Sequence, residues 1–296
     1  MKGIILAGGS GSRLYPITKA ITKQLLPVYD KPMIYYPLST LILAGITEIL
    51  IICKADDLNS FKKLFGSGAD LGLQIQYCVQ DNPNGIPEAF LLGEEFIGDD
   101  SVCLILGDNI FYGHQLPELL AEGVALVEAS GGAVIFGHHV GNPESYGIVK
   151  FKKNGAVINL EEKPKKPKSS CAVVGLYMYD NTVIDVAKKL QPSGRGETEI
   201  TDVNLAFLAI NNLKLLQLGR GYAWFDTGVA DSFLNASNFV QTIQKRQGLK
   251  ISCIEETAHA MGLIDSPQLL NLAKGIKNKE YTEYLLEIVR RKECQS

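Results

Sequence analysis

GIILAGGSGSRL, residues 3–14, is the stretch on which the fold turns. Residues 3–7 are a short apolar run, the pattern of a strand buried on both faces, and they pass without a break into Gly8, Gly9 and Gly11. Glycines at the carboxyl end of a first strand stand where open α/β sheets bind ligands. They allow positive φ and close backbone approach, so successive N–H groups can face a phosphate, and Arg13 adds a forked cation. Two other glycine-rich arrangements do not fit. Gly9-x-Gly11 is followed by Leu14 where a dinucleotide fingerprint needs Gly or Ala, and no Gly-Lys-Ser/Thr completes a P-loop. From this segment alone, a structural turn and a phosphate cradle are both open.

Outward from the loop, residues 48–53, 74–79 and 102–106 repeat the apolar strand pattern, and helical spacing lies between them at about 31–45, 57–65 and 87–97. Alternating strand and helix predicts a doubly wound, Rossmann-like α/β fold. From residue 133 the character changes. AVIFGHHV, YGIVKF, AVINLEEK and CAVVGLYMY are strand-like segments joined by short turns, which predicts an antiparallel extension and hence a mixed sheet. Helices are expected at about 181–190, 199–211 and 231–247, a strand at 214–219, and a loop at YAWFDTG, residues 222–228. Residues 250–296 read as a small helical appendage. The expected organisation is an α/β domain over 1–240, with one half at about 1–130 and another at about 131–240, followed by a helical region over 241–296.

Composition narrows the function classes. The 296 residues are 46% hydrophobic, enough for a large core, and a net charge of -3 provides no global basic field for nucleic acid. KPKKPK at 163–168 reads as a solvated loop. The six cysteines, Cys53, Cys78, Cys103, Cys171, Cys253 and Cys294, show neither CxxC pairs nor metal spacing and read as reduced thiols. The histidines, His114, His138, His139 and His259, also lack metal spacing, and the adjacent pair in a strand points to opposite faces. The N-terminal apolar stretch is too short for a secretion signal, and no apolar run is long enough to cross a bilayer, so a cytoplasmic protein without membrane partners is expected.

Five segments then make a pattern: LAGGSGSRL at 6–14, KQLLPVYDKPMIYYPLSTL at 23–41, LGDN at 106–109, LEEKP at 160–164 and GRGYAWFDTG at 219–228. Together, in this order and over nearly the whole chain, they resemble the glucose-1-phosphate thymidylyltransferases. The resemblance implies a nucleotide-diphospho-sugar transferase fold, Mg2+ dependence, a homotetramer, and a single displacement that joins dTTP to glucose 1-phosphate with release of pyrophosphate, a step toward dTDP-rhamnose. It also implies roles for residues. Arg13 and Lys23 clamp the triphosphate, with Leu6, Gly8, Gly9, Ser10, Gly11 and Ser12 around it. Gln24, Gln80 and Gly85 read the base. Asp108 and Asp226 hold the metal. Lys163 meets the sugar phosphate, and Glu162, Asn109, Tyr146, Gly147, Val173, Tyr177, Arg195 and Trp224 line the sugar side.

The chemistry agrees with this residue set. Nucleotidyl transfer joins one anion to another, so charge neutralisation and in-line positioning are the main tasks, and an already charged nucleophile needs no general base. Taken alone, Asp108 and Asp226 read more readily as turn aspartates than as metal ligands, and Lys163 can be read as the first of a surface lysine run. Two departures from the family pattern stand out. NPNGIPEAF at 82–90 replaces the usual Gly-Leu-Ala-Gln-Ala-Phe, placing Pro87 and Glu88 at the rim of the nucleotide site. Near the family's end-product site, Arg220 and Lys250 match, whereas Pro117 and Ala260 stand where histidine and arginine are common, so altered end-product inhibition is expected. A uridylyl- or cytidylyltransferase, and a catalytically silent nucleotide-binding relative, are the alternatives carried forward.

Overall fold

The computed structural model describes residues 1–9 and 11–293; Ser10 and Cys294 lie outside the described residues, as do Gln295 and Ser296. The first half runs β1 (Lys2–Leu6), a small ribbon of β2 (Pro27–Val28) and β3 (Lys31–Pro32), α1 (Tyr35–Leu43), β4 (Glu48–Cys53), α2 (Leu58–Phe65) and β5 (Gln74–Val79). Then come α3 (Glu88–Leu92), α4 (Glu94–Ile97), β6 (Val102–Leu106), β7 (Asn109–Tyr112) and α5 (Leu116–Ser130). The second half holds β8 (Ala133–His139), β9 (Gly147–Phe151), β10 (Val157–Glu162), β11 (Cys171–Tyr179), α6 (Val183–Lys189), α7 (Ile200–Ala209), β12 (Leu213–Leu218) and β13 (Ala223–Asp226). Four helices close the chain: α8 (Ala230–Gln247), α9 (Ile254–Ala260), α10 (Ser266–Gly275) and α11 (Lys279–Glu293).

A nine-stranded mixed sheet is the spine, ordered β10-β9-β11-β6-β1-β4-β5, with β8 on β11 and β12 on β8. Strands β6, β1, β4 and β5 are parallel to one another, and β11 runs antiparallel to β6. The expected doubly wound mixed fold with C-terminal helices is what forms. Its central strands are apolar throughout because both faces are covered. Ile5, Ile51 and Ile105 enter one apolar cluster, whereas Ile4, Ile52 and Leu104 enter the other. The first cluster takes in Cys253, Ile254, Leu269 and Leu285, so the C-terminal helices pack on the same apolar layer as α1 and α2.

Local differences from the sequence reading have physical causes. The single helix expected at 87–97 is two, divided at Gly93, where an added Cβ would lie 3.0 Å from both Ala89 O and Ile4 Cδ1. YAWFDTG is not all loop, since its Ala223–Asp226 portion pairs antiparallel with β7. The five described cysteines are free, and burial pushes the Cys53 and Cys171 thiols up to about 11, which leaves them protonated and unreactive near neutral pH. Among the described residues no helix is long and apolar enough to cross a membrane.

Candidate active site

Strand ends of opposite origin meet at one edge of the sheet. β1 and β6 finish side by side, with the Gly107 N–H donating to Leu6 O at 2.9 Å. A Cβ at Gly107 would stand 3.0 Å from Leu6 O and 3.0 Å from Gln24 Cγ, so a glycine is what allows this approach. Beyond it the chain turns through Asp108 into β7. The β7–β13 register sets Asp226 across from Asn109, and this long-range pairing brings the two distant aspartates together. Thr227 fastens the junction, because its N–H and Oγ1 both donate to Asp108 O, at 3.1 and 2.7 Å.

The two carboxylates are in different electrostatic states. Burial works to raise the Asp108 carboxyl, but the ion pair and hydrogen bond from Lys23, with the Asn109 Nδ2 donor at 3.1 Å, outweigh it and hold the group below its ordinary range. At Asp226 burial and the neighbouring Asp108 charge prevail over Lys23, Arg13 and the Gly228 N–H at 3.0 Å, so that carboxyl is raised. Negative charge at Asp226 is thus disfavoured until more cation arrives. A pair of carboxylates open to phosphate oxygens and water fits a hard divalent ion. Among the described residues no group of three or more His, Cys, Asp and Glu forms a closed metal cage.

Two adjoining cavities flank this pair, and Arg13 and Ile86 border both. Gly228 makes Arg13's position possible, since a Cβ there would be 2.5 Å from Arg13 Nη2 and 2.9 Å from Asp226 Oδ1. The first cavity is lined by Asp108, Asp226, Asn109, Tyr146, Gly147, Glu162, Lys163, Val173, Tyr177 and Trp224, all expected from the sequence. Its wall also includes Gly175, Thr201 and Asn204, which sequence reasoning missed. Gly175 had a signal, a glycine inside an apolar strand. Thr201 and Asn204 are polar positions buried on the inner face of α7.

Each polar group on this side is held. Glu162 accepts from Thr201 Oγ1 at 2.6 Å and from Arg195 Nη2 at 3.2 Å. Gly147 leaves the room it needs, a Cβ there being 3.0 Å from Glu162 Oε2. Lys163 has φ 41, a left-handed conformation that costs a non-glycine residue on the order of 1–3 kcal/mol, and its N–H donates to Tyr146 O at 3.1 Å. Its half-exposed ammonium, 4.0 Å from Glu162 Oε1, borders the cavity and is far less engaged than Lys23. Trp224 packs between Tyr146 and His138, tilted against the first and edge-on to the second, with ring centroids at 5.1 and 6.3 Å. Arg195 is not on the lining; its half-exposed guanidinium is held by Glu199 and Glu162.

The second cavity carries Leu6, Gly9, Gly11, Ser12, Arg13, Lys23, Gln80 and Gly85, as expected, with Pro83, Glu197 and Gly228 in addition. Gly8 underlies Gln80: a Cβ on it would fall 2.3 Å from Gln80 Oε1. Gln24 sits behind the lining, 2% exposed, accepting from Thr22 Oγ1 at 2.9 Å. The histidines stay out of the pair's chemistry. His138 Nδ1 contacts Leu218 O at 3.0 Å on the inner side, and His139 Nδ1 contacts Ser170 Oγ at 3.0 Å on the outer.

The Nucleotidyl transferase family model matches residues 2–243. A glucose-1-phosphate thymidylyltransferase of Neisseria meningitidis is 52% identical over 98% of this chain and 100% of its own length. One from Mycolicibacterium smegmatis is 53% identical over 98% and 100%. Among solved structures, a Bacillus anthracis protein described as a glucose-1-phosphate thymidylyltransferase, in complex with sucrose, superposes with a TM-score of 0.74 at 42% identity, covering 81% of this chain and 94% of that one. A UDP-glucose pyrophosphorylase complexed with UDP-glucose gives 0.72 at 25% identity, covering 82% and 98%. With two cavities adjoining at Arg13, a carboxylate pair lining the first, and relatives matching over nearly their whole length, the chain belongs to the nucleotidyl transferases and, within them, to the glucose-1-phosphate thymidylyltransferases.

Proposed function

We propose that the chain transfers a deoxythymidylyl group from dTTP to α-D-glucose 1-phosphate, forming dTDP-glucose and pyrophosphate. The observation that carries this is the shared border at Arg13: one cavity suits a sugar phosphate and is lined by the carboxylate pair, and the other suits a nucleoside triphosphate and carries Lys23 and Gly228, the partners of those two carboxylates. An oxygen of the sugar phosphate attacks the α-phosphorus, a new P–O bond forms, the bond to the β-phosphate oxygen breaks, and pyrophosphate carries off the electron pair. No proton has to be removed from this nucleophile, which accords with cavity walls that carry no histidine among the described residues.

In this reading Arg13 and Lys23 neutralise and align the triphosphate, the glycine-rich loop supplies N–H donors, Lys163 holds the sugar phosphate, and Glu162 takes sugar hydroxyls. Asp108 and Asp226 would hold Mg2+, which when bound polarises the α-phosphate and screens the two carboxylates from each other. The test is pyrophosphate release with glucose 1-phosphate, Mg2+ and each nucleoside triphosphate in turn. Fastest release with dTTP is expected; release with UTP or CTP in its place would select the alternative base, and none with any would leave only a silent binding protein.

Regulation belongs to the same proposal. A homotetramer with an end-product site near the C-terminal helices, in the cytoplasm, is the assembly the resemblance implies. At the matching positions Arg220 and Ala260 are exposed, but Lys250 Nζ lies 3.0 Å from Asp30 Oδ2 and over the Tyr281 and Tyr284 rings. With Lys250 so engaged and no arginine at 260, inhibition by the end-product sugar nucleotide should be weak; strong inhibition by dTDP-rhamnose in steady-state assays would overturn that.

A further inference from the structure

Gln80 lies in the wall of the nucleotide cavity and is only 4% exposed, so its amide meets a ligand in one fixed orientation. Glu88 sets which one. The Nε2 of Gln80 donates to Glu88 Oε2 at 2.6 Å. A carboxylate only accepts, whereas an amide has one end of each kind, so the pairing is satisfied in one sense alone. Were residue 88 also an amide, both side chains could turn over together with no bond lost. Glu88 is itself fixed at the start of α3: its Oε2 also receives the Asn84 N–H at 3.2 Å, and its Oε1 receives Asn84 Nδ2 at 2.7 Å. Asn84 is tied in turn, its carbonyl accepting from Thr198 N at 2.9 Å and Thr198 Oγ1 at 3.0 Å.

With Nε2 turned to Glu88, the other end of the amide is determined. Oε1 rests over Gly8, accepts no hydrogen bond among the described residues, and is the acceptor that Gln80 presents at the cavity. An acceptor in this wall matches a base whose ring edge carries an N–H, as the imide of thymine or uracil does. It opposes the unprotonated ring nitrogen of cytosine, a lone pair against a lone pair. We propose that Glu88 is a positioning residue for base specificity: by fixing the amide of Gln80 it selects imide bases against cytosine. This rests on the second cavity being the nucleotide site, as proposed above.

The test compares kcat/KM for dTTP and dCTP, at saturating glucose 1-phosphate and Mg2+, in the native chain and in Glu88→Gln. The preference for dTTP should narrow by about tenfold to hundredfold, the worth of one base-reading hydrogen-bond pair, mainly through better use of dCTP. A merely structural role would lower both triphosphates alike, and a preference narrowed by less than tenfold overturns the proposal. Glu88→Ala allows the same comparison if Glu88→Gln does not fold. Calorimetric titration of the two triphosphates reads the preference without turnover. Binding without pyrophosphate release would thus fault the catalytic reading alone, whereas native protein that binds dCTP as tightly as dTTP overturns the role of Glu88.

Discussion

The indole N–H of Trp224 donates to Asn109 Oδ1 at 2.6 Å, and the same oxygen receives the Gly175 N–H at 3.1 Å while Asn109 Nδ2 reaches Asp108. One buried amide thus joins β7, β11 and β13 behind the Asp108 carboxylate. Asn109→Ala would leave the buried Gly175 N–H without a partner, at about 1–3 kcal/mol, would release the part-buried Trp224 indole N–H, and would free Asp108 to rotate. Lower melting temperature and lower pyrophosphate release are both expected. Trp224→Phe keeps the ring and loses one donor, so its thermal effect should be clearly smaller; equal melting shifts for the two variants would contradict this reading.

Gly175 is demanded by the same contact. An added Cβ would come 2.6 Å from Asn109 Oδ1 and 2.7 Å from Leu106 Cδ1. Gly175→Ala should cost about 1–3 kcal/mol through overpacking and depress turnover, read by calorimetry and by initial rates. An unchanged melting point would mean that the strand irregularity between Val173 and Tyr177 absorbs the methyl group.

The two aspartates should separate when stability and activity are measured together. Asp108→Asn removes the partner of buried Lys23 and should destabilise strongly, by about 3–5 kcal/mol. Asp226→Asn removes the carboxylate whose charge burial and Asp108 disfavour, so the melting temperature should hold or rise. Both should lose most pyrophosphate release. Full activity in either would defeat its assignment as a metal ligand.

Lys163 offers a trade between strain and function. Glycine adopts φ 41 freely, so Lys163→Gly relieves about 1–3 kcal/mol of backbone strain against about 1 kcal/mol of added chain entropy. The variant should melt no lower than the native protein, and its KM for glucose 1-phosphate should rise sharply. A lower melting temperature with an unchanged KM would show the residue to be structural.

Stability should also respond to pH through Glu256, on α9. Burial raises its carboxyl above the ordinary 4.5, despite the hydrogen bond from Tyr284 and the charges of Arg291 and Lys31. The folded state therefore holds this proton more tightly than the unfolded chain. Its contribution is fully present below the unfolded value and is lost as pH rises through the folded one. Glu256→Gln should melt higher than the native protein at neutral pH, with the gap closing on acidification below about 4.5; a gap that widens on acidification would reverse the sign.

Much of the architecture was legible in the sequence: 48–53 and 102–106 form where their apolar patterns lie because both faces are covered. Residues 74–79 form at their expected place, but as an edge strand with Gln74 and Gln76 exposed, not as the strand buried on both faces that was expected. The pairing of β7 with β13 was not legible, since four residues carry too little periodicity and the partner is far along the chain. Helix α5 lay outside the helical patterns read, although Leu116, Leu120 and Val127 are buried on its inner face, because Gly123 and neighbouring small residues blur the stripe. At the site, the motif residues assemble, but Thr201 and Gly228 act by what they leave room for or hold, which residue type alone does not announce. Glu88 was visible only as a departure; its partnership with Gln80 required the folded loop.

Arg13 borders both cavities, and with the two substrates bound as proposed, that arrangement would link them thermodynamically. A triphosphate that draws the guanidinium toward itself alters the potential met by the sugar phosphate, and the sugar phosphate acts back on the triphosphate by the same factor. The affinity of either substrate measured alone would then differ from its affinity during turnover, and the ratio of the two would give the size of the coupling that one shared arginine carries.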